Sequence, residues 1–190
     1  FAWPGKPNWI IPEDCRIHVL AAPDEDSLGA MNSLAGELGA PGDVSAIYPH
    51  QRPPIPTGEI TAEKVWRTLT AVMPENAIVS DEGVTSSRDA EAWTVGAPPH
   101  DWLNVTGGSI GQGLPVATGA ALACPGRRVF AMESDGAGLY TLQALWTQAR
   151  ERLDVVTVIF ANRAYRILCG ELKQMGIAEP GPKAAAVLDL

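Results

Sequence analysis

At 190 residues, with 46% hydrophobic and 19% charged side chains, the chain can bury a core and is too apolar to be disordered. Lys and Arg number 14 against 22 Asp and Glu, a net charge of -8, which argues against nucleic acid or an anionic membrane as partner. Cys15, Cys124 and Cys169 are odd in number and widely spaced, and read as reduced thiols of a cytoplasmic protein rather than a disulfide or zinc framework.

No apolar stretch reaches membrane-spanning length. The opening Phe-Ala-Trp-Pro-Gly-Lys-Pro lacks the basic start and apolar run of a signal peptide and reads as the middle of a longer chain. Residues 15–20 (Cys-Arg-Ile-His-Val-Leu) predict a short strand. A helix follows near 27–38, capped by Asp26 or Ser27, with Leu28, Met31, Leu34 and Leu38 on one face and Gly39 ending it. Pro49, Pro53, Pro54 and Pro56 mark 44–57 as a linker.

A larger unit, 58–190, begins with Thr61 as N-cap of a helix carrying Val65, Leu69 and Val72, which Pro74 stops. A strand over 77–81 leads into the polar turn Glu82-Gly-Val-Thr-Ser-Ser87 and a weakly patterned helix at 87–95. After a Pro-rich loop, the run Thr106-Gly-Gly-Ser-Ile-Gly-Gln-Gly113 opens a small-residue helix that closes at Pro125-Gly126. Strand 128–133, the turn Ser134-Asp135-Gly136, a helix over 139–150 and strand 155–161 complete the pattern. Strands alternating with helices, the last two almost wholly apolar, predict an α/β fold: a parallel sheet with helices on both faces, in three layers.

In such a sheet ligands bind at the carboxyl ends of the strands. Asp135 and Asn162 follow successive strands joined by one helix, and a right-handed crossover brings both to one edge. A carboxylate and an amide oxygen suit a hard cation such as Mg2+ that shares phosphate oxygens. Gly136 and Ala137 are small enough for a diphosphate to approach the free N–H groups of the next helix. An Asp-Gly after a strand also serves as a plain turn, and an Asn there as a cap. The pair, 27 positions apart (162 − 135), is the more telling signal. A dinucleotide fingerprint is disfavoured, because the Gly-x-x-Gly-x-Gly spacing is wrong and no strand directly precedes it.

Three blocks carry a family resemblance. Ser134-Asp135-Gly136 with Asn162 resembles the Gly-Asp-Gly…Asn signature of thiamine-diphosphate (ThDP) enzymes. Tyr140-Thr-Leu-Gln-Ala-Leu-Trp-Thr-Gln-Ala149 and Val158-Ile-Phe-Ala-Asn-Arg-Ala-Tyr165 resemble the same region of acetolactate synthases and benzoylformate decarboxylases, as does Gly108-Ser-Ile-Gly-Gln-Gly-Leu-Pro115. The resemblance implies that 58–190 is a ThDP diphosphate- and Mg-binding domain of that fold, truncated at its C-terminus, and that 1–43 is the tail of a central domain. It departs at Ser134, where the family usually has Gly.

By position, the resemblance implies that Asp135 and Asn162 ligate Mg2+ by side chain and Ala164 by its carbonyl. Gly136 and Ala137 would contact the diphosphate, with Gly83, Val84 and Thr85 meeting it from another side; that turn reads equally as an N-cap cluster. Gly108, followed by Ser109, would accept a hydrogen bond from the aminopyrimidine. Ile110 would wedge beneath the cofactor, though as a residue it reads as core. Tyr165 closes the cofactor-binding set.

The implied function is decarboxylation and carboligation of 2-keto acids, as in acetolactate synthase and branched-chain amino acid biosynthesis, in a cytoplasmic homodimer or homotetramer. The activating glutamate would come from the pyrimidine-binding domain of a neighbouring subunit, so this fragment carries no catalytic residue and is expected to be inactive alone. The alternatives are a benzoylformate-type decarboxylase and a non-catalytic Mg-diphosphate module. His100 is a weaker candidate for reaching substrate, and His18 and His50 have no partner at ligand spacing. Trp66, Trp93 and Trp146 read as core or interface.

Overall fold

A computed structural model describes residues 14–42, 51–177 and 179–190. The chain divides into two compact units, Phe1–Ile47 and Tyr48–Leu190. No helix among the described residues is long and apolar enough to cross a membrane.

In the first unit, α1 spans Ser27–Glu37, and the Asp26 carboxylate caps it by accepting the Gly29 N–H at 2.9 Å. Gly39, at φ +61°, follows the helix in the left-handed conformation expected of a terminating glycine. Leu28, Met31, Leu34 and Leu38 are all exposed, so the apolar stripe buries nothing. The strand expected at 15–20 is absent; those residues take no regular structure. Among the described residues no strand lies in this unit to satisfy the backbone groups of another. Of the expected linker, 51–57 has no regular structure, and the remainder, with His50, lies outside the described residues.

The second unit opens with α2, Ala62–Val72, whose N-cap Thr61 accepts the Lys64 N–H through Oγ1 at 3.2 Å. Then come β1 (Ile78–Glu82), a 3-10 turn over Val84–Ser87, α3 (Ala90–Trp93) and β2 (Asp101–Asn104). A second 3-10 turn, Thr106–Gly108, precedes α4 (Gly113–Ala123) and β3 (Val129–Ser134). The chain continues through α5 (Asp135–Gly138), α6 (Ala144–Arg150), β4 (Val155–Phe160), α7 (Arg166–Gln174) and α8 (Pro182–Leu188).

The four strands form one parallel sheet in the order β2-β1-β3-β4. Strand alternation sends side chains to both faces. Val79, Phe130 and Met132 pack with Trp66, Leu69 and Met73 from the α2 side. Ile78, Val129 and Ala131 pack on the other face with Leu114, Ala117 and Ala121 of α4. Three layers result, as the sequence pattern predicts.

Three further expectations need correction. The helix at 87–95 shrinks to the single turn of α3. The helix at 139–150 breaks: the N–H groups of 140, 141 and 144–146 reach back three residues, such as Tyr140 to Ala137 and Ala144 to Thr141, and regular helix starts at Ala144. A strand, β2, does precede the glycine run, so the case against a dinucleotide fingerprint rests on glycine spacing alone. The β2 segment is too short and polar at both ends to announce itself; its hold is tertiary. Trp102 of β2 stacks on Trp66 with centroids 5.1 Å apart and planes 18° apart.

Trp66 is fully buried, donates Nε1–H to the Ser86 carbonyl at 3.0 Å, and meets Phe160 on β4 at 6.1 Å. It thus ties α2 to the turn after β1 and to the far strand. Trp66→Ala is expected to cost about 3–5 kcal/mol, read from the urea midpoint. A loss under about 1 kcal/mol would show that the stack carries little. Trp146, by contrast, is exposed, with the Arg150 guanidinium 4.6 Å from its ring centroid.

Candidate functional site

The strand order makes β1 and β3 neighbours whose connections leave in opposite directions, the place where an open α/β sheet leaves a crevice beyond its carboxyl ends. Register aligns those ends: Glu82 pairs with Glu133, and Ser134 with Phe160. The turns after β1, β3 and β4 therefore rise side by side.

They enclose a narrow cleft of about 40 Å3. Its walls include Val84 and Thr85 from the β1 turn, Asp135, Gly136 and Ala137 from the β3 turn, and Asn162, Ala164 and Tyr165 after β4. Ile110 of the glycine-rich segment closes it. A wider cavity of about 520 Å3 adjoins Thr85, Asn162 and Arg166.

Asp135 and Asn162 meet through the backbone between them. Asp135 Oδ2 accepts the Arg163 N–H at 2.7 Å, and its Oδ1 accepts the Gly136 N–H at 2.9 Å. Asn162 Oδ1 accepts the Ala164 N–H at 3.0 Å. The Ala164 carbonyl accepts the Arg166 N–H at 2.8 Å, leaving its second lone pair. Among the described residues no three His, Cys, Asp or Glu side chains group as metal ligands. Asp135, Asn162 and Ala164 line one cleft, and oxygen donors of these kinds are the ones that could hold a hard divalent cation that also takes phosphate oxygens.

The turns are held in costly conformations. Val84 and Arg163 are non-glycine residues at φ 49° and 57°, and a β-branched residue there is strained. Asp81 holds the β1 turn, accepting the Ser87 hydroxyl at 2.6 Å and the Gly83 N–H at 3.0 Å. Burial pushes the Asp81 carboxyl above its usual range, against those two hydrogen bonds. Gly136 is required by a close approach: a Cβ there would lie 2.6 Å from Tyr165 Cε1.

Residues 84–184 match the family described as "Thiamine pyrophosphate enzyme, C-terminal TPP binding domain". The chain belongs to the thiamine pyrophosphate enzyme family. It is 48% identical over its whole length to "Putative acetolactate synthase large subunit IlvX" of Mycobacterium tuberculosis, covering 37% of that protein. It is 38% identical over 115 residues, 57% of this chain and 19% of the relative, to an alpha-keto-acid decarboxylase of Mycobacterium avium. The thiamine diphosphate-dependent 4-hydroxybenzoylformate decarboxylase of Rhodococcus jostii RHA1 superposes with a TM-score of 0.68 at 26% identity, over 85% of this chain and 30% of that one. The chain thus spans well under half the length of the curated relatives it matches.

In this thiamine pyrophosphate-binding domain, the expected residues Val84, Thr85, Ile110, Asp135, Gly136, Ala137, Asn162, Ala164 and Tyr165 are brought to one cleft. Gly83, Gly108 and Ser109 do not line it; they sit on the turns that carry its walls. Ser134 takes an extended conformation at φ -85°, ψ 148°, which needs no glycine, so the departure from the family's Gly leaves the turn intact. His100 immediately precedes β2, at the strand end opposite the cleft, with Nδ1 donating to the Pro98 carbonyl at 2.7 Å.

The sequence reasoning missed Arg166 and Ile167 in the cleft wall. It also missed Glu82 and Glu133, both 1% exposed. The available signal for the glutamates was a carboxylate near the end of each of two otherwise apolar strands.

Proposed function

We propose that this domain anchors the diphosphate of ThDP and a Mg2+ ion in an enzyme acting on 2-keto acids, with acetolactate synthase-like decarboxylation and carboligation. The observation that carries the reading is the tie between Asp135 and the loop 162–164 at the carboxyl rim, where β1 and β3 part. Identity of 48% along the whole chain to the IlvX protein supports the synthase assignment. Bound there, ThDP supplies an electron sink that lets a 2-keto acid lose CO2.

The chain's own residues bind and orient. Asp135, Asn162 and the Ala164 carbonyl would hold the cation, while Gly136 and Ala137 would let phosphate oxygens approach the backbone. Gly83, Val84 and Thr85 receive the diphosphate from the opposite wall. The Gly108 carbonyl, beside Ser109, would accept a hydrogen bond from the aminopyrimidine, and Ile110 would pack against the cofactor. Tyr165, packed over Gly136, would form the wall beside the diphosphate.

The pyrimidine-binding domain of a neighbouring subunit completes the site, in a cytoplasmic homodimer or homotetramer serving branched-chain amino acid biosynthesis. Leu139, Tyr140, Leu142 and Trp146, all exposed in the stretch that follows the β3 turn, support such a contact. The similarity to a 4-hydroxybenzoylformate decarboxylase favours a second reading, a decarboxylase. Pyruvate supplied to the intact enzyme separates them: a C5 acid supports the synthase, an aldehyde the decarboxylase. The 190-residue chain on its own is expected to form no acetolactate from pyruvate, and measurable acetolactate from a pure preparation would refute that division of labour.

A further inference from the structure

We propose that Glu82 is a positioning residue whose buried carboxylate fixes the glycine-rich segment 106–113, and through it Gly108 and Ile110, against the pyrimidine half of the cofactor. The inference rests on the ThDP reading above.

Glu82 ends β1, and three consecutive backbone donors converge on it. Its Oε1 accepts the N–H of Gly111 at 2.7 Å and of Gln112 at 3.3 Å, and its Oε2 accepts the N–H of Gly113 at 2.7 Å. These are free donors at the start of α4, which a carboxylate satisfies together with the local positive dipole. Gly113 is obligatory, because a Cβ there would lie 2.6 Å from Glu133 Oε2 and 2.7 Å from Glu82 Oε2. Gly111 sits at φ +98°, which favours glycine.

The constraint passes on through Gln112. Its Nε2 donates to the Thr106 carbonyl at 3.0 Å and the Ser109 carbonyl at 2.6 Å, while its Oε1 accepts the Thr106 N–H at 3.1 Å. Gly108 and Ile110 are bracketed between these anchors. The residue after Glu82 opens the turn assigned to the diphosphate, so one buried carboxylate sets the spacing between the two halves of the cofactor. Both its oxygens are occupied and it is 1% exposed, so it touches no reacting atom.

The test compares ThDP with inorganic diphosphate, each with Mg2+, by calorimetry on the full-length protein. Glutamine at position 82 would turn an NH2 toward backbone donors, so Glu82→Gln is expected to weaken ThDP about tenfold or more. Inorganic diphosphate, which needs only the turns at 83–85 and 136–137, should shift less than about twofold. Gln112→Met cuts the same relay from the solvent side, without touching the buried carboxylate, and should show the same selective loss. Equal weakening of both ligands, or ThDP affinity unchanged in either variant, overturns the proposal while leaving the ThDP reading in place. Absence of ThDP binding by the unaltered protein overturns both.

Discussion

Asp135→Asn is expected to raise the dissociation constant for ThDP with Mg2+ about 100-fold in the full-length protein. The carboxylate does two things at once. Its charge offsets that of the cation, and its two oxygens accept the Gly136 and Arg163 N–H groups at 2.9 and 2.7 Å. Asparagine removes the charge and presents an NH2 to one of those donors, so the loop 162–164 loses the bond that holds Asn162 and Ala164 in place. Asp135 lies at the rim rather than in the core, so the unfolding midpoint should move little. Calorimetry beside a urea titration separates the two effects. Retention of affinity within about threefold would show that the cation does not sit at this carboxylate.

Glu133→Gln should change how stability depends on pH. Burial first, then the charge of Glu82 and a hydrogen bond with it, push the Glu133 carboxyl up to about 9 from an ordinary 4.5. Between those values the folded chain keeps a proton that the unfolded chain gives up. Unfolding therefore binds fewer protons in the product state, and stability falls as pH rises from 4.5 to about 9, by up to about 1.4 kcal/mol per unit. Glutamine keeps a donor toward Glu82 and cannot ionise. The variant should match the parent near pH 5, exceed it by a few kcal/mol near pH 8.5 in order of magnitude, and show a flatter profile. Urea unfolding across that range checks it; parallel profiles for the two proteins would mean that Glu133 ionises normally.

Much of this was legible because it is local or periodic. Thr61 with the apolar spacing of Val65 and Leu69 announces α2, and the apolar runs of β3 and β4 announce a doubly covered sheet. Asp135 and Asn162 were readable as partners because two strand ends joined by one crossover must share an edge. What stayed hidden depends on tertiary neighbours. Four residues, Asp101 to Asn104, are a strand because Trp102 stacks on Trp66 and β1 offers a parallel ladder. Residues 15–20 have strand composition but no such partner among the described residues, and they take no regular structure. Gly111 packs against Tyr140 at the break before α6, where a Cβ on the glycine would lie 2.8 Å from the tyrosine Cβ. Composition does not encode that approach. The buried pair Glu82 and Glu133 is visible as polar letters at strand ends, yet their side-by-side pairing exists only through register.

The all-parallel order has a kinetic corollary. Every ladder joins stretches more than twenty positions apart, and the central pair closes a span of 51 (129 − 78). Loop entropy must be surrendered before any ladder repays it, so assembly is slow beside that of a helical bundle of similar size. Meanwhile β4, which has no partner on its outer side among the described residues, offers Val156 and Ile159 to any other chain nearby. Refolding in dilute solution, away from other unfinished copies, is the regime in which this sheet closes correctly.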